Sequence, residues 1–208
     1  AGAERPILSS RQDKSATDWS PDGRFLLYFA FSLEGQNDIL ALPMEGDRTP
    51  LPLVGTAFEE RNAKFSPDGR WIAYQSNESG RFEIYVQPFP GPGARTRISV
   101  NGGAQAYWRA DGRELFYIAL DGRLMAVPIR TGAGGATLEA GTPEALFMTR
   151  MPRLVEHIDG QNFVVSPDGR FLVNTLEEGP PVPLTVLLNW RPRPPGTVRL
   201  ESPRLPTP

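Results

Sequence analysis

FSPDGRWIAY, residues 65–74, is one of four versions of a single phrase, and its reading decides the fold. The copies are Ser20-Pro21-Asp22-Gly23-Arg24, Ser66-Pro67-Asp68-Gly69-Arg70, Arg109-Ala110-Asp111-Gly112-Arg113 and Ser166-Pro167-Asp168-Gly169-Arg170. Trp19, Phe65, Trp108 and Val165 stand directly before them. An apolar run follows each: Phe25–Tyr28, Trp71–Tyr74, Leu115–Ile118 and Phe171–Val173. Proline presets the backbone of a tight turn, Asp bonds locally to main chain, and Gly takes a positive φ. Each phrase therefore reads as a hairpin corner between two strands. The corner aspartates lie 46, 43 and 57 residues apart, so the unit is roughly 45 residues, the length of a four-stranded propeller blade.

The remainder of the unit also repeats. A second turn carries Gly35, Gly80, Gly122 or Gly179, and leads into Ile39–Pro43, Ile84–Pro88, Leu124–Pro128 or Thr185–Asn189. Proline closes three of these four runs, as a residue without a ladder donor does at a strand end. More polar segments follow at Pro50–Val54, Arg95–Ser99 and Glu144–Met148, and suit outer edge strands. The continuous apolar runs suit inner strands covered on both faces. Helix signals are weak, and the short capped stretch Thr142–Phe147 falls where its repeat calls for a strand.

The expected fold is thus all-β: a β-propeller of about four blades of four antiparallel strands, at about 17–54, 59–99, 104–148 and 158–190. Residues 4–9 read as an outer strand of the last blade or of a missing one. Pairing there would close a four-blade ring; otherwise the blades belong to a larger propeller whose open edges would pair with another copy. The opening AGAERPIL reads as mid-protein or as a processed end, and the proline-rich tail 191–208 as an extended, polyproline-like segment.

A net charge of −2 and a pI near 5.6 provide no basic stripe for nucleic acid. The sequence has no cysteine, which excludes disulfides, thiolate metal sites and a cysteine nucleophile. No apolar run reaches the roughly 20 residues of a membrane span.

The repeated S-P-D-G-R followed by an apolar run resembles the WD-repeat-like propeller repeat of the TolB family, over about residues 17–190. KFSPDGRWIAYQSNESGRFEIYVQPFPGPG (64–93), DGRLMAVPI (121–129), EAGTPEALF (139–147) and FLVNT (171–175) further resemble C-terminal propellers of bacterial membrane-anchored serine/threonine protein kinases. The third copy departs from the pattern, with Arg109-Ala110 in place of Ser-Pro. The resemblance implies an extracytoplasmic sensor or protein-binding module, non-catalytic, with a TolB-like scaffold or receptor kinase as its setting. An accessory, substrate-gating propeller of a serine peptidase is the alternative.

Individual residues add little catalytic signal. A calcium loop needs several converging oxygens, and Asp22, Asp68, Asp111 and Asp168 offer one carboxylate per turn, so they read as corners. His157 is the one histidine, no G-x-S-x-G elbow accompanies it, and zinc chemistry lacks ligands. Gly132–Gly135 opens no helix and reads as a flexible insertion, while Glu59-Glu60 and Glu177-Glu178 read as solvated pairs. The expectation is of no enzyme, cofactor or metal. A binding site is expected where the links enter the innermost strands, around the channel mouth: Arg11, Asp13, Glu59, Arg61, Gln105, Tyr107, His157 and Gln161. That mixture suits a protein, peptide or small polar ligand.

Overall fold

The computed structural model describes residues 4–31, 36–91, 93–132, 135, 137–151 and 161–175, all within one compact unit, Ala1–Leu176. Three antiparallel sheets follow the repeat. The first holds β1 (Lys14–Trp19), β2 (Phe25–Phe31), β3 (Asn37–Pro43) and β4 (Leu51–Val54), in that spatial order. The second holds β5 (Glu60–Phe65), β6 (Trp71–Ser76), β7 (Glu83–Pro88) and β8 (Thr96–Arg97). In the third, β9 (Ala104–Trp108), β10 (Glu114–Ile118) and β11 (Arg123–Thr131) are joined on one edge by two pieces, β12 (Leu138–Ala140) and β13 (Glu144–Met148). A two-stranded hairpin completes the set, β14 (Phe163–Val165) with β15 (Phe171–Val173).

Sheets pack face to face, so second strands are apolar without alternation. Every residue of β6 is buried. Leu27, Phe29, Ile39 and Ala41 meet Phe65, Ile72, Tyr74 and Tyr85 between the first two sheets. Trp71, Ala73, Ile84 and Val86 meet Trp108, Leu115, Tyr117 and Val127 between the second and third. In each of the three larger sheets the first strand carries a register irregularity against its neighbour. Asn62 and Gln105, both six residues before the corner Asp, sit there at φ 55° and 56°. Such bulges bend an edge and re-aim its side chains.

The corners nest. In the first, Asp22 Oδ1 accepts from Ser20 Oγ at 2.6 Å and from Arg24 N at 3.1 Å, and Ser66-Asp68-Arg70 repeats both bonds. Gly23, Gly69 and Gly112 hold φ between 69° and 74°. A side-chain carbon added at Gly69 would lie 3.7 Å from Pro21 Cδ, and one at Gly112 3.8 Å from Pro67 Cδ, so the proline of each turn stands near the glycine of the next. Ala110 ends this stack: Gly169 has nothing within 4 Å among the described residues. Arg109 compensates for the absent serine by binding Glu114 at 2.7 Å and Asp111 at 3.6 Å.

The fourth hairpin is also one residue out of step. Trp19 pairs with Leu26, Phe65 with Ile72 and Trp108 with Leu115, but Val165 pairs with Phe171. Its turn closes from Ser166 N to Arg170 O, one residue earlier than Ser66 N to Trp71 O. A one-residue shift turns every side chain to the opposite face. Leu172 is therefore 73% exposed, whereas Ile72 and Leu115, its counterparts by sequence, are 0% exposed. The slip places Phe171 edge-on to Phe116 at 5.0 Å, against the third sheet.

Several expectations need correction. The sheets do not close into a ring: among the described residues no strand pairing links the fourth hairpin to the first sheet. Residues 4–10 form no strand; Leu8 packs instead on Tyr28, Ala30 and Leu42. The edge of the third sheet is split, because β11 runs on to Thr131 and pairs with β12 before β13 takes over. Gly35, Gly179, His157, the third run Thr185–Asn189 and the tail 191–208 lie outside the described residues. The described residues contain no helix long and apolar enough to cross a membrane.

Candidate functional site

The four inner strands converge on one cavity of about 410 Å³ at their turn ends. Asp18, Lys64, Tyr107 and Val164 each stand four residues before the corner Asp, and all four line it. Trp19, Phe65, Trp108 and Gln161 complete much of the wall. Lys64 and Gln161 also border a second cavity of about 240 Å³, lined by Ser15, Ala16, Thr17 and Asn62. Repetition delivers one side chain per sheet to the same level, and variation at that position makes the ring asymmetric: an acid, a base, a phenol and an aliphatic group.

Bonds between neighbouring sheets hold these groups. Asp18 Oδ2 accepts from Phe65 N at 2.8 Å, and Lys64 Nζ donates to Thr17 O. Trp108 Nε1 donates to Lys64 O at 3.2 Å. Gln161 Nε2 donates to Gln105 O at 3.0 Å, and Gln105 Oε1 accepts from Asn162 N at 2.9 Å. Gln105 N in turn donates to Gln75 Oε1 at 3.1 Å. A chain of amides, buried at Gln75 and Gln105, thus runs from β6 through the β9 bulge to the start of β14, and fixes Gln161 at the cavity wall.

The expected site residues separate into groups. Tyr107 and Gln161 line the cavity. Arg61 and Gln105 are buried. Arg61 pairs with Glu59 and lies over the Phe82 ring at 5.3 Å, and Gln105 belongs to the amide chain. Arg11 and Asp13 are exposed ahead of β1, away from the wall, and His157 lies outside the described residues. Asp18 and Lys64 were not among the expected residues: they stand at the corner ends of their strands, opposite the links from which the site was expected to be built. A signal was present: the position four before the corner Asp changes its chemistry in every copy.

Burial pushes the Asp18 carboxyl above its ordinary range, against the lowering effect of Lys64. Glu60, fully buried, is raised by the same cause despite bonds from Thr56 and Ser76. Asp22 and Asp168 are lowered, foremost by their serine hydroxyls, as corner groups bonded in their charged form. Among the described residues no three His, Cys, Asp or Glu side chains group as metal ligands would. The wall offers hydrogen-bond donors and acceptors, one charge of each sign, and aromatic faces.

No protein-family model and no curated protein matches the chain. Solved structures do. A TolB-type protein from Agrobacterium tumefaciens is 19% identical, with 76% of this chain and 56% of that one covered and a TM-score of 0.51. TolB from Acinetobacter baumannii is 21% identical, with 77% and 42% covered and a TM-score of 0.46. The periplasmic gluconolactonase of Pseudomonas aeruginosa is 18% identical, with 73% and 47% covered and a TM-score of 0.47. The chain spans about half the length of these structures. The gluconolactonase corrects the expectation that the chain is no enzyme: propellers of this kind include enzymes, and the fold sets no activity aside. Sheets, corners and neighbours together show a TolB-like β-propeller fold.

Proposed function

We propose that this chain is a ligand-receiving propeller module whose site is the cavity ringed by Asp18, Lys64, Tyr107 and Gln161. The observation that carries the reading is the convergence of four inner strands on one cavity of about 410 Å³, within the range of small-molecule and peptide sites. In the setting that residues 64–93 suggest, the module is the extracytoplasmic sensor or protein-interaction part of a receptor-type kinase, or of a TolB-like scaffold. Its partner is a protein segment, a peptide or a small polar ligand. Thermal-shift screening of short peptides and polar small molecules tests the site. Hits should lose their shift in Tyr107→Ala and Lys64→Ala and keep it in Arg11→Ala. Hits indifferent to both cavity substitutions would remove the assignment.

A further inference from the structure

Asp18 and Lys64 reach the cavity from neighbouring sheets, with Lys64 Nζ 3.9 Å from Asp18 Oδ1. That separation exceeds a hydrogen bond, so the two charges face each other without closing on each other. Both side chains are mostly buried, at 21% and 29% exposure. Lys64 is held by Thr17 O, and Asp18 by the backbone of Phe65 and Trp19, which leaves part of each group's donor or acceptor set unused. Both therefore retain hydrogen-bonding capacity toward the cavity.

A ligand of single charge is poorly served here. An anion meeting Lys64 is set beside Asp18, and a cation meeting Asp18 is set beside Lys64. A ligand carrying both charges on groups bonded to one carbon avoids this conflict. Its ammonium takes the Asp18 carboxylate, its carboxylate takes the Lys64 ammonium, and the wall stays neutral throughout. Burial already disfavours the Asp18 carboxylate, which a second ammonium would relieve. The rest of the wall is suited to an apolar side chain, with Tyr107, Trp108 and Val164 lining the same cavity and Trp19 half-exposed. Gln161 lines the same cavity, and its Oε1 adds a hydrogen-bond acceptor to the wall.

We propose that the cavity binds the zwitterion of a free α-amino acid with a large apolar or aromatic side chain. This rests on the reading of the cavity as a ligand site. Calorimetric titration of the chain with L-phenylalanine, N-acetyl-L-phenylalanine and L-phenylalaninamide separates the charges. Phenylalanine should bind at millimolar concentration or below, and each blocked derivative at least about tenfold more weakly. In Asp18→Asn the advantage over the N-acetyl derivative should disappear, and in Lys64→Gln the advantage over the amide. Equal binding of all three compounds would overturn the zwitterion while leaving the cavity as a site. Absence of binding by phenylalanine, leucine and tryptophan would overturn it too. Peptide hits lost in Tyr107→Ala would then still support the functional reading, and their absence would remove both.

Discussion

Ala110→Pro tests whether the nested corners stabilise the sheets. Ala110 is exposed and takes the place held by Pro21, Pro67 and Pro167 in the other copies. The same bond closes its turn, from Gly112 N to Arg109 O at 2.9 Å. The Ala110 N–H makes no bond among the described residues, so proline would remove none. Restricting the unfolded chain at a compatible position contributes about 0.4–1 kcal/mol. The expected gain is about 1 kcal/mol, which for a domain of this size raises Tm by roughly 2–4 °C. Urea denaturation followed by tryptophan fluorescence should show a higher midpoint at unchanged slope. Pro67→Ala, losing the same restriction of the unfolded chain, should show a midpoint lowered by a similar amount. A lower midpoint for Ala110→Pro would mean that the third corner does not share the backbone of the others, and would refute the stacking argument.

Three further substitutions probe other features. Leu172→Ala should change stability by less than about 0.5 kcal/mol, while Leu115→Ala costs about 2–5 kcal/mol; a large loss at Leu172 would contradict the slipped register. Gln75→Leu leaves the buried Gln105 N–H without its acceptor and should cost about 1–3 kcal/mol in denaturant midpoints. Glu60 has a folded pKa above its ordinary value near 4.5, so the folded state holds its proton more tightly than the unfolded chain. Its stabilising contribution is complete below that ordinary value and is lost as pH rises through the folded pKa. Glu60→Gln, permanently neutral, should flatten the pH dependence of stability above about pH 4.5 and be the more stable form at pH 7; an unchanged profile would assign the dependence elsewhere.

The corners were legible because proline, aspartate and glycine carry local backbone instructions that recur with each sheet. Inner and outer strands were legible from the contrast between runs such as Trp71–Tyr74 and segments such as Pro50–Val54. Register in the fourth hairpin was not. Phe171-Leu172-Val173 is apolar at every position, and a period of two gives no preference between faces when both are apolar. The strand at Leu138–Ala140 was hidden because its partner is the far end of β11, across a glycine-rich turn that reads as an insertion. At the site, Tyr107 and Gln161 were found from their polar, partly aromatic character. Asp18 and Lys64 escaped because their importance comes from sheets brought side by side, a relation that no single repeat contains.

The interrupted stack of corners has a consequence for how the molecule breathes. Within the first three sheets the proline of one corner stands near the glycine of the next, and the sheets share packed faces, so their amide protons should exchange in large, shared openings. The fourth hairpin lacks that link and is tied in mainly by Phe163 and Phe171 on the third sheet and by Gln105 at its entry. It can lift as a separate leaf while the rest stays shut. Because Gln161 and Val164 stand on that leaf and also face the cavity, whatever occupies the cavity would slow its exchange selectively, and occupancy could be read from the motion of a single hairpin.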